Sequence, residues 1–406
     1  MTQGTDIATR CTTVADAARA AEDWLAHPDN ADLVGGEAKL IRHELRRGAM
    51  RARKLGRAAQ RRMAISVFGP SQAGKSFLVS VLARPASGQL TSNFPDPGGK
   101  LDFISEINPE GEGESTGIVT RFTTAAYQAP GGFPVMLRLL SESDIARILV
   151  NTFLLDGDKS EPEPTTDDIE DLYRTLGSRK GNDAPGVTSD DVIETQEYLT
   201  RNFGKSAYVA ALGEYWDRAI EIAPKLSVAD RGALFAPLWG RHAAFTQLYV
   251  RLGQALESLG SPEIAFAGLD ALVPREDSII DVKLLGGIDQ DGGPTLRLAT
   301  EQGHQAELPK ALVTAIAAEM VLPMLDSPDP LFDGTDLLDF PGARTRFEKP
   351  LDRFLQEASG PLKECVLRGK VAYLFDRYVA EQEITSMLLC IPDSNMEVAD
   401  LPVLIG

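Results

Sequence analysis

Cysteine is scarce in this chain of 406 residues: Cys11, Cys365 and Cys390 are scattered and odd in number. That excludes a disulfide framework and a zinc knuckle, and it suits reduced thiols in a cytoplasmic protein. The first twenty residues lack a basic stretch followed by an apolar core, so no secretory signal is read. No apolar run approaches the length of a membrane span. Positive charge is also in short supply, 41 Lys and Arg standing against 59 Asp and Glu for a formal net charge of −18. Such a chain repels nucleic acid and anionic lipid, so neither is an expected partner. One stretch reverses the sign. Lys39 to Arg62 carries ten basic residues against a single acid, Glu44. Its plain reading is a solvated helix face that pairs with the acidic remainder, and its sharper reading a dock for an acidic partner or lipid head groups.

What is present is ordinary for a globular protein, with 43% hydrophobic and 25% charged residues and length for two or three domains. The most informative stretch is Met63 to Leu82. Met63 to Phe68 is a short apolar run that reads as a buried strand. Gly69-Pro70-Ser71-Gln72-Ala73-Gly74-Lys75-Ser76 then fits the phosphate-loop pattern G-x-x-x-x-G-K-[ST]. Phe77, Leu78, Val81 and Leu82 follow at the spacing of one helix face. Gly69 and Gly74 let backbone N–H groups converge on one anion, and the helix start adds its own free donors and positive dipole end. Lys75 supplies charge to the β- and γ-phosphates, and the Ser76 hydroxyl suits Mg²⁺. Residues 69–77 are therefore the expected nucleotide-phosphate site.

A second stretch, Asp336-Leu337-Leu338-Asp339-Phe340-Pro341-Gly342, is an apolar strand ending in D-x-x-G. Asp339 is placed to hold Mg²⁺ through water and the Gly342 N–H to sense the γ-phosphate. A switch that orders around metal and phosphate is also needed. Thr120 is the candidate, its hydroxyl a metal ligand and its carbonyl an orienter of the attacking water, with Thr116 the rival and Thr123 a third choice. Phosphoryl transfer relies chiefly on positioning and charge stabilisation, so no strong base is required.

The remaining pattern is coarse. Helices are expected over 12–62, broken near Pro28. A long loop is expected over Arg84 to Gly113, and a hairpin from strands near 122–127 and 134–140. Residues 141 to about 260 read as helices, with two short β-like runs over 279–298 and a helix over Lys310 to Leu325. Tyr208, Tyr215, Trp216, Trp239, Phe245 and Tyr249 sit at helical spacing and read as core. Thr385 to Ile391 reads as a buried strand near the end.

These motifs carry a resemblance. Gly69 to Ser76, Gly117-Ile118-Val119-Thr120-Arg121 and Leu338-Asp339-Phe340-Pro341-Gly342 resemble the first three guanine-nucleotide motifs of dynamin-like GTPases. The wording around the loop, with Leu101-Asp102-Phe103, Ile107-Asn108-Pro109, Thr116 to Phe122 and Cys390-Ile391-Pro392, resembles the SrfC-like family of bacterial virulence factors over most of the chain. The first resemblance implies GTP hydrolysis, with Thr120 as switch threonine and Gln72 beside the catalytic water. The dynamin loop reads Gln-Ser where this one reads Ser71-Gln72, so Ser71 and Gln72 both stand as candidates. More than two hundred residues separate Thr120 from Asp339, where simple GTPases have a short hairpin. Ala343 replaces the glutamine used by Ras-like enzymes, which leaves Arg121, Arg344 and Arg346 as candidate charge stabilisers. No Asn/Thr-Lys-x-Asp base-reading motif follows Ile391.

The expected fold is thus an α/β, GTPase-like P-loop sheet built from 63–140 and 331–406. An N-terminal helical segment (1–62) precedes it and a mostly helical insertion (141–330) interrupts it, and the sheet is expected to continue past the last residue. The expected function is Mg²⁺-dependent binding and slow hydrolysis of GTP, as a conformational switch with a protein partner and a homodimer through the nucleotide domain. The alternatives are a nucleotide-binding scaffold without turnover and an ATPase.

Overall fold

A computed structural model describes residues 2–70, 74–86, 88–109, 116–156, 162–342, 350–357 and 360–390. The N-terminal helices are α1 (Thr2–Ala26), α2 (Pro28–Val34) and α3 (Ala38–Gln60). Strand β1 (Met63–Phe68) runs through the glycine loop into α4 (Lys75–Leu82), and β2 (Thr91–Phe94), β3 (Gly99–Asp102), β4 (Val119–Thr123) and β5 (Val135–Leu139) follow. A helical run comes next: α5 (Glu142–Asn151), α6 (Thr166–Gly177), α7 (Ser189–Phe203), α8 (Ala207–Ala211), α9 (Tyr215–Ile222), α10 (Val228–Phe235) and α11 (Ala243–Ser258). The chain then forms β6 (Ile264–Ala267), β7 (Thr295–Ala299), β8 (Gln305–Pro309), α12 (Lys310–Ile316), β9 (Ala317–Pro323) and β10 (Thr335–Asp339). It closes with α13 (Leu351–Glu357), α14 (Pro361–Ala380) and β11 (Ser386–Leu389).

Two compact units result, one of Met1–Met63 with Asp376–Thr385 and one of Ala64–Phe375 with Ser386–Gly406. In the first, α1 and α3 pack through small residues. A Cβ on Gly56 would stand 3.2 Å from that of Cys11, and one on Gly4 would stand 2.4 Å from the Ala59 carbonyl oxygen. Ala8, Cys11, Ala15 and Leu25 are the buried face of α1, whereas the larger apolar Val14 and Trp24 are about half exposed. Small side chains allow the closer approach of two helices, so they take the contact. The basic stretch finds acids here: Arg46 on α3 pairs with Glu22, and Arg61, just past the helix, with Glu383 at 2.7 Å and Glu381 at 3.3 Å.

The second unit is built on a mixed nine-stranded sheet in the order β11-β1-β10-β4-β9-β5-β6-β7-β8. The expected hairpin of neighbouring strands 122–127 and 134–140 does not form. Strand β9 separates β4 from β5, parallel to the first and antiparallel to the second. Every residue of β9 is buried, and a strand buried on both faces belongs at a sheet centre. Here the expected helix over 310–325 stops at Ile316. The segment 141–330 also contributes β6, β7 and β8, so it extends the sheet as well as covering it with helices. The expected loop over 84–113 contains the β2–β3 hairpin, turned by Pro95 to Gly98. Strand β11 is an edge strand, with Met387, Leu388 and Leu389 39–48% exposed where burial was expected. All six aromatics between Tyr208 and Tyr249 singled out as core are buried.

Candidate functional site

The carboxyl ends of β1, β10 and β11 meet. Strand β1 buries Ala64 and Val67 completely, and its last residues bond both neighbours: Phe340 N donates to Val67 O at 3.2 Å and Cys390 N to Phe68 O at 2.8 Å. Gly69 follows directly. A Cβ there would lie 2.4 Å from the Cys390 carbonyl oxygen, so only glycine lets the loop leave the strand at this place. Gly74 closes the loop at φ +76°, ψ 16°, a left-handed N-cap for α4, and its carbonyl accepts the first helical bond from Leu78 N at 2.9 Å. Ser71, Gln72 and Ala73 lie outside the described residues, as do Ala343, Arg344, Arg346 and everything after Cys390.

Lys75 is 8% exposed and its Nζ donates to the Pro70 carbonyl at 2.7 Å, which turns the side chain back toward the end of β1. Burial lowers its pKa, against the opposing pull of the Asp339 carboxylate and the Cys390 thiol. The Ser76 hydroxyl donates to Asp339 Oδ2 at 2.8 Å, joining residues 263 positions apart. Asp339 is 3% exposed, and its Oδ1 is buried with no hydrogen-bond partner. Burial raises its pKa to about 6, although the Ser76 hydrogen bond and the Lys75 ammonium both pull it down. A carboxylate that keeps one oxygen unsatisfied in the protein interior is costly, and such an atom needs an account.

Thr120 is buried on β4 and stands directly opposite Asp339 in the antiparallel pair, so both side chains share one face. The rivals lie elsewhere. Thr116 makes an isolated backbone bridge to Asp281, and the Thr123 hydroxyl donates to Asp336 Oδ1 at 2.7 Å. Arg121 is not available as a phosphate-facing charge stabiliser. Its guanidinium grips Glu319 through two bonds of 2.8 and 2.9 Å and Asp336 at 3.0 Å. A charge stabiliser must face the loop, and alternation along β4 turns Arg121 to the opposite face from Thr120. Phe77 is 59% exposed on α4, and Gly342 is buried just beyond β10.

Reading the residues one motif at a time missed Cys390 and the Pro70 carbonyl. Cys390 backs the loop, and burial pushes its thiol pKa up while the Lys75 ammonium opposes that. Nothing in its local sequence signals this, because the contact arises from the parallel pairing of β11 with β1. The Pro70 carbonyl is a backbone group and leaves no side-chain trace.

Among the described residues, no helix is long and apolar enough to cross a membrane, and no cluster of three or more His, Cys, Asp or Glu could hold a metal ion. No curated protein matches the chain. A family model described as "putative bacterial virulence factor" matches residues 21–406, and the chain belongs to that family.

Proposed function

We propose that this protein binds a nucleoside triphosphate with Mg²⁺ at the β1–α4 loop and hydrolyses it slowly, as the switch of a bacterial virulence-associated protein. The preference for GTP rests on the dynamin-like wording of the three motifs. The observation that carries the reading is the Ser76–Asp339 hydrogen bond beside a lysine whose ammonium caps its own loop. Two hard oxygen donors, one with a spare buried lone-pair site, suit Mg²⁺, which is held by one or two protein ligands together with phosphate oxygens and water. The cation would supply charge neutralisation between the transferred phosphoryl group and its leaving group. Ser76 and Asp339 would hold it, and Thr120, across from Asp339, is the switch ligand in this scheme. Lys75 Nζ exchanges the Pro70 carbonyl for phosphate oxygens, a stronger, charge-assisted partner. The meeting of three strand ends at one loop supports the reading further, because ligands of open α/β sheets bind outside the carboxyl ends of the strands.

A second reading, a nucleotide-binding scaffold without turnover, is favoured by one observation. Arg121, the described arginine nearest in sequence to the switch threonine, is committed to carboxylates. A cytoplasmic location, a protein partner and a homodimer through the nucleotide domain belong to the same proposal. The test is displacement of a fluorescent GTP analogue by GTP and by ATP, coupled to phosphate release. Lys75→Ala should weaken binding on the order of 10–100-fold, the loss expected for a charge-assisted contact. Undiminished binding and turnover in that variant would overturn the site. Tight binding with no phosphate release in the wild type would select the scaffold, and preferential displacement by ATP would reverse the base assignment.

A further inference from the structure

Strand β4 carries a buried charge cluster on the face opposite Thr120. Arg121 donates to both oxygens of Glu319 on β9 and to Asp336 Oδ2 on β10, and Thr123 on β4 donates to Asp336 Oδ1. Arg138 on β5 approaches Glu319 Oε2 at 3.7 Å, so the core of the cluster pairs two arginines with two acids. The side chains of Glu319, Asp336 and Arg121 are 0%, 4% and 14% exposed. Buried ion pairs of this kind roughly break even for stability against apolar packing, and their best-attested use is to fix register. The geometry suits that use. Arg121 lies opposite Leu338 and beside Val321, and its guanidinium reaches one carboxylate on each flanking strand. A slip of β4 by one residue turns Arg121 to the other face and leaves both carboxylates buried without it. The same slip removes Thr120 from its place across from Asp339.

We infer that Arg121 is a positioning residue of the nucleotide site: its fork onto Glu319 and Asp336 locks the register of β4 and so sets Thr120 against Asp339. The inference rests on the nucleotide reading above for its catalytic consequence. Its structural content stands on the hydrogen bonds alone. Arg121→Lys keeps the charge but cannot bridge two carboxylates with one rigid fork. Glu319→Gln keeps the shape and removes one charge, and it serves where the lysine variant folds poorly.

The experiment uses the full chain at a temperature at which circular dichroism shows each variant fully folded. It measures fluorescent-GTP affinity in EDTA, the Mg²⁺ concentration for half-maximal phosphate release, and hydrogen exchange of residues 119–123. Both variants should raise the Mg²⁺ requirement on the order of tenfold and leave EDTA affinity within about twofold, because the loop itself is untouched. Exchange over 119–123 should quicken by about tenfold more than over the helices α10 and α11. A merely structural role lowers the melting temperature alone. An unchanged Mg²⁺ requirement in both variants, or exchange that quickens uniformly, overturns the inference. If wild-type protein binds no nucleotide, it is the nucleotide reading that fails, and the exchange measurement then decides the register claim by itself.

Discussion

Asp339 is the residue on which the site turns, since it is buried, raised to a pKa of about 6 and left with one oxygen unpartnered. Its carboxyl keeps a proton in the folded state between about pH 4 and 6, where the unfolded chain has lost it. The folded state then binds more protons, so stability falls as pH rises through that window and stays at the lower level above it. A cation or a neutral side chain removes the cost. Asp339→Asn should therefore stabilise the nucleotide-free protein by roughly 1–3 kcal/mol at pH 7.5, taking about 1.4 kcal/mol per pKa unit, with the gain shrinking toward pH 4. Thermal melts at the two pH values measure this, and a variant less stable than wild type at pH 7.5 refutes the assignment. On the proposed function, proton and cation compete for the same oxygens in the wild type, so the Mg²⁺ requirement should climb as pH drops below about 6.

At the scale of elements, the start of the loop is shaped by the end of β11. Gly69 has no room for a side chain against the Cys390 carbonyl, and β11 is itself held by Cys390 N on Phe68 O. Gly69→Ala must push β11 away or deform the loop, an overpacking cost of about 1–3 kcal/mol. Nucleotide affinity should fall at least as far as in Lys75→Ala, and equal affinity in the alanine variant would show that β11 does not shape the loop. This is also where sequence reading reached its limit. The succession β1, loop and α4 was legible because its motif is local and its glycines have conformational reasons. The place of Asp339 at the end of a strand was legible because an apolar run leads into it. Strand β9 was not, since Ala317-Ala318-Glu319-Met320 are residues that helices favour, and a short run buried on both faces has no period to separate strand from helix. Its central place between β4 and β5 is a long-range pairing that no window of sequence contains. Arg121 was misjudged for the same reason, because its partners Glu319 and Asp336 lie 198 and 215 residues away.

At the scale of the whole second unit, the chain between β5 and β10 pairs with β4 along β9, and two further ties reach the residues around Thr120. One is Glu319 in the grip of Arg121. The other is the strap around Asp281, whose backbone bridges Thr116. A Cβ on Gly117 would lie 3.2 Å from Val282 Cγ1 and 3.3 Å from Leu367 Cδ1, so the strap and α14 close tightly over the residues that lead into β4. Asp281 is anchored in turn by its Oδ1 on Lys283 N and by Arg275 at 3.6 Å, and it is 3% exposed. On the proposed function, in which Thr120 takes up a ligand three residues from Gly117, a segment so seated responds as well, because packed interfaces shift between discrete arrangements and do not stretch. Adding Mg²⁺ and a non-hydrolysable GTP analogue should thus slow hydrogen exchange at 279–283 and 317–323 as well as at 116–123. Exchange slowed at the loop and β4 alone would mean that the strap is scaffolding, and that the long segment between the two phosphate motifs does not read the nucleotide.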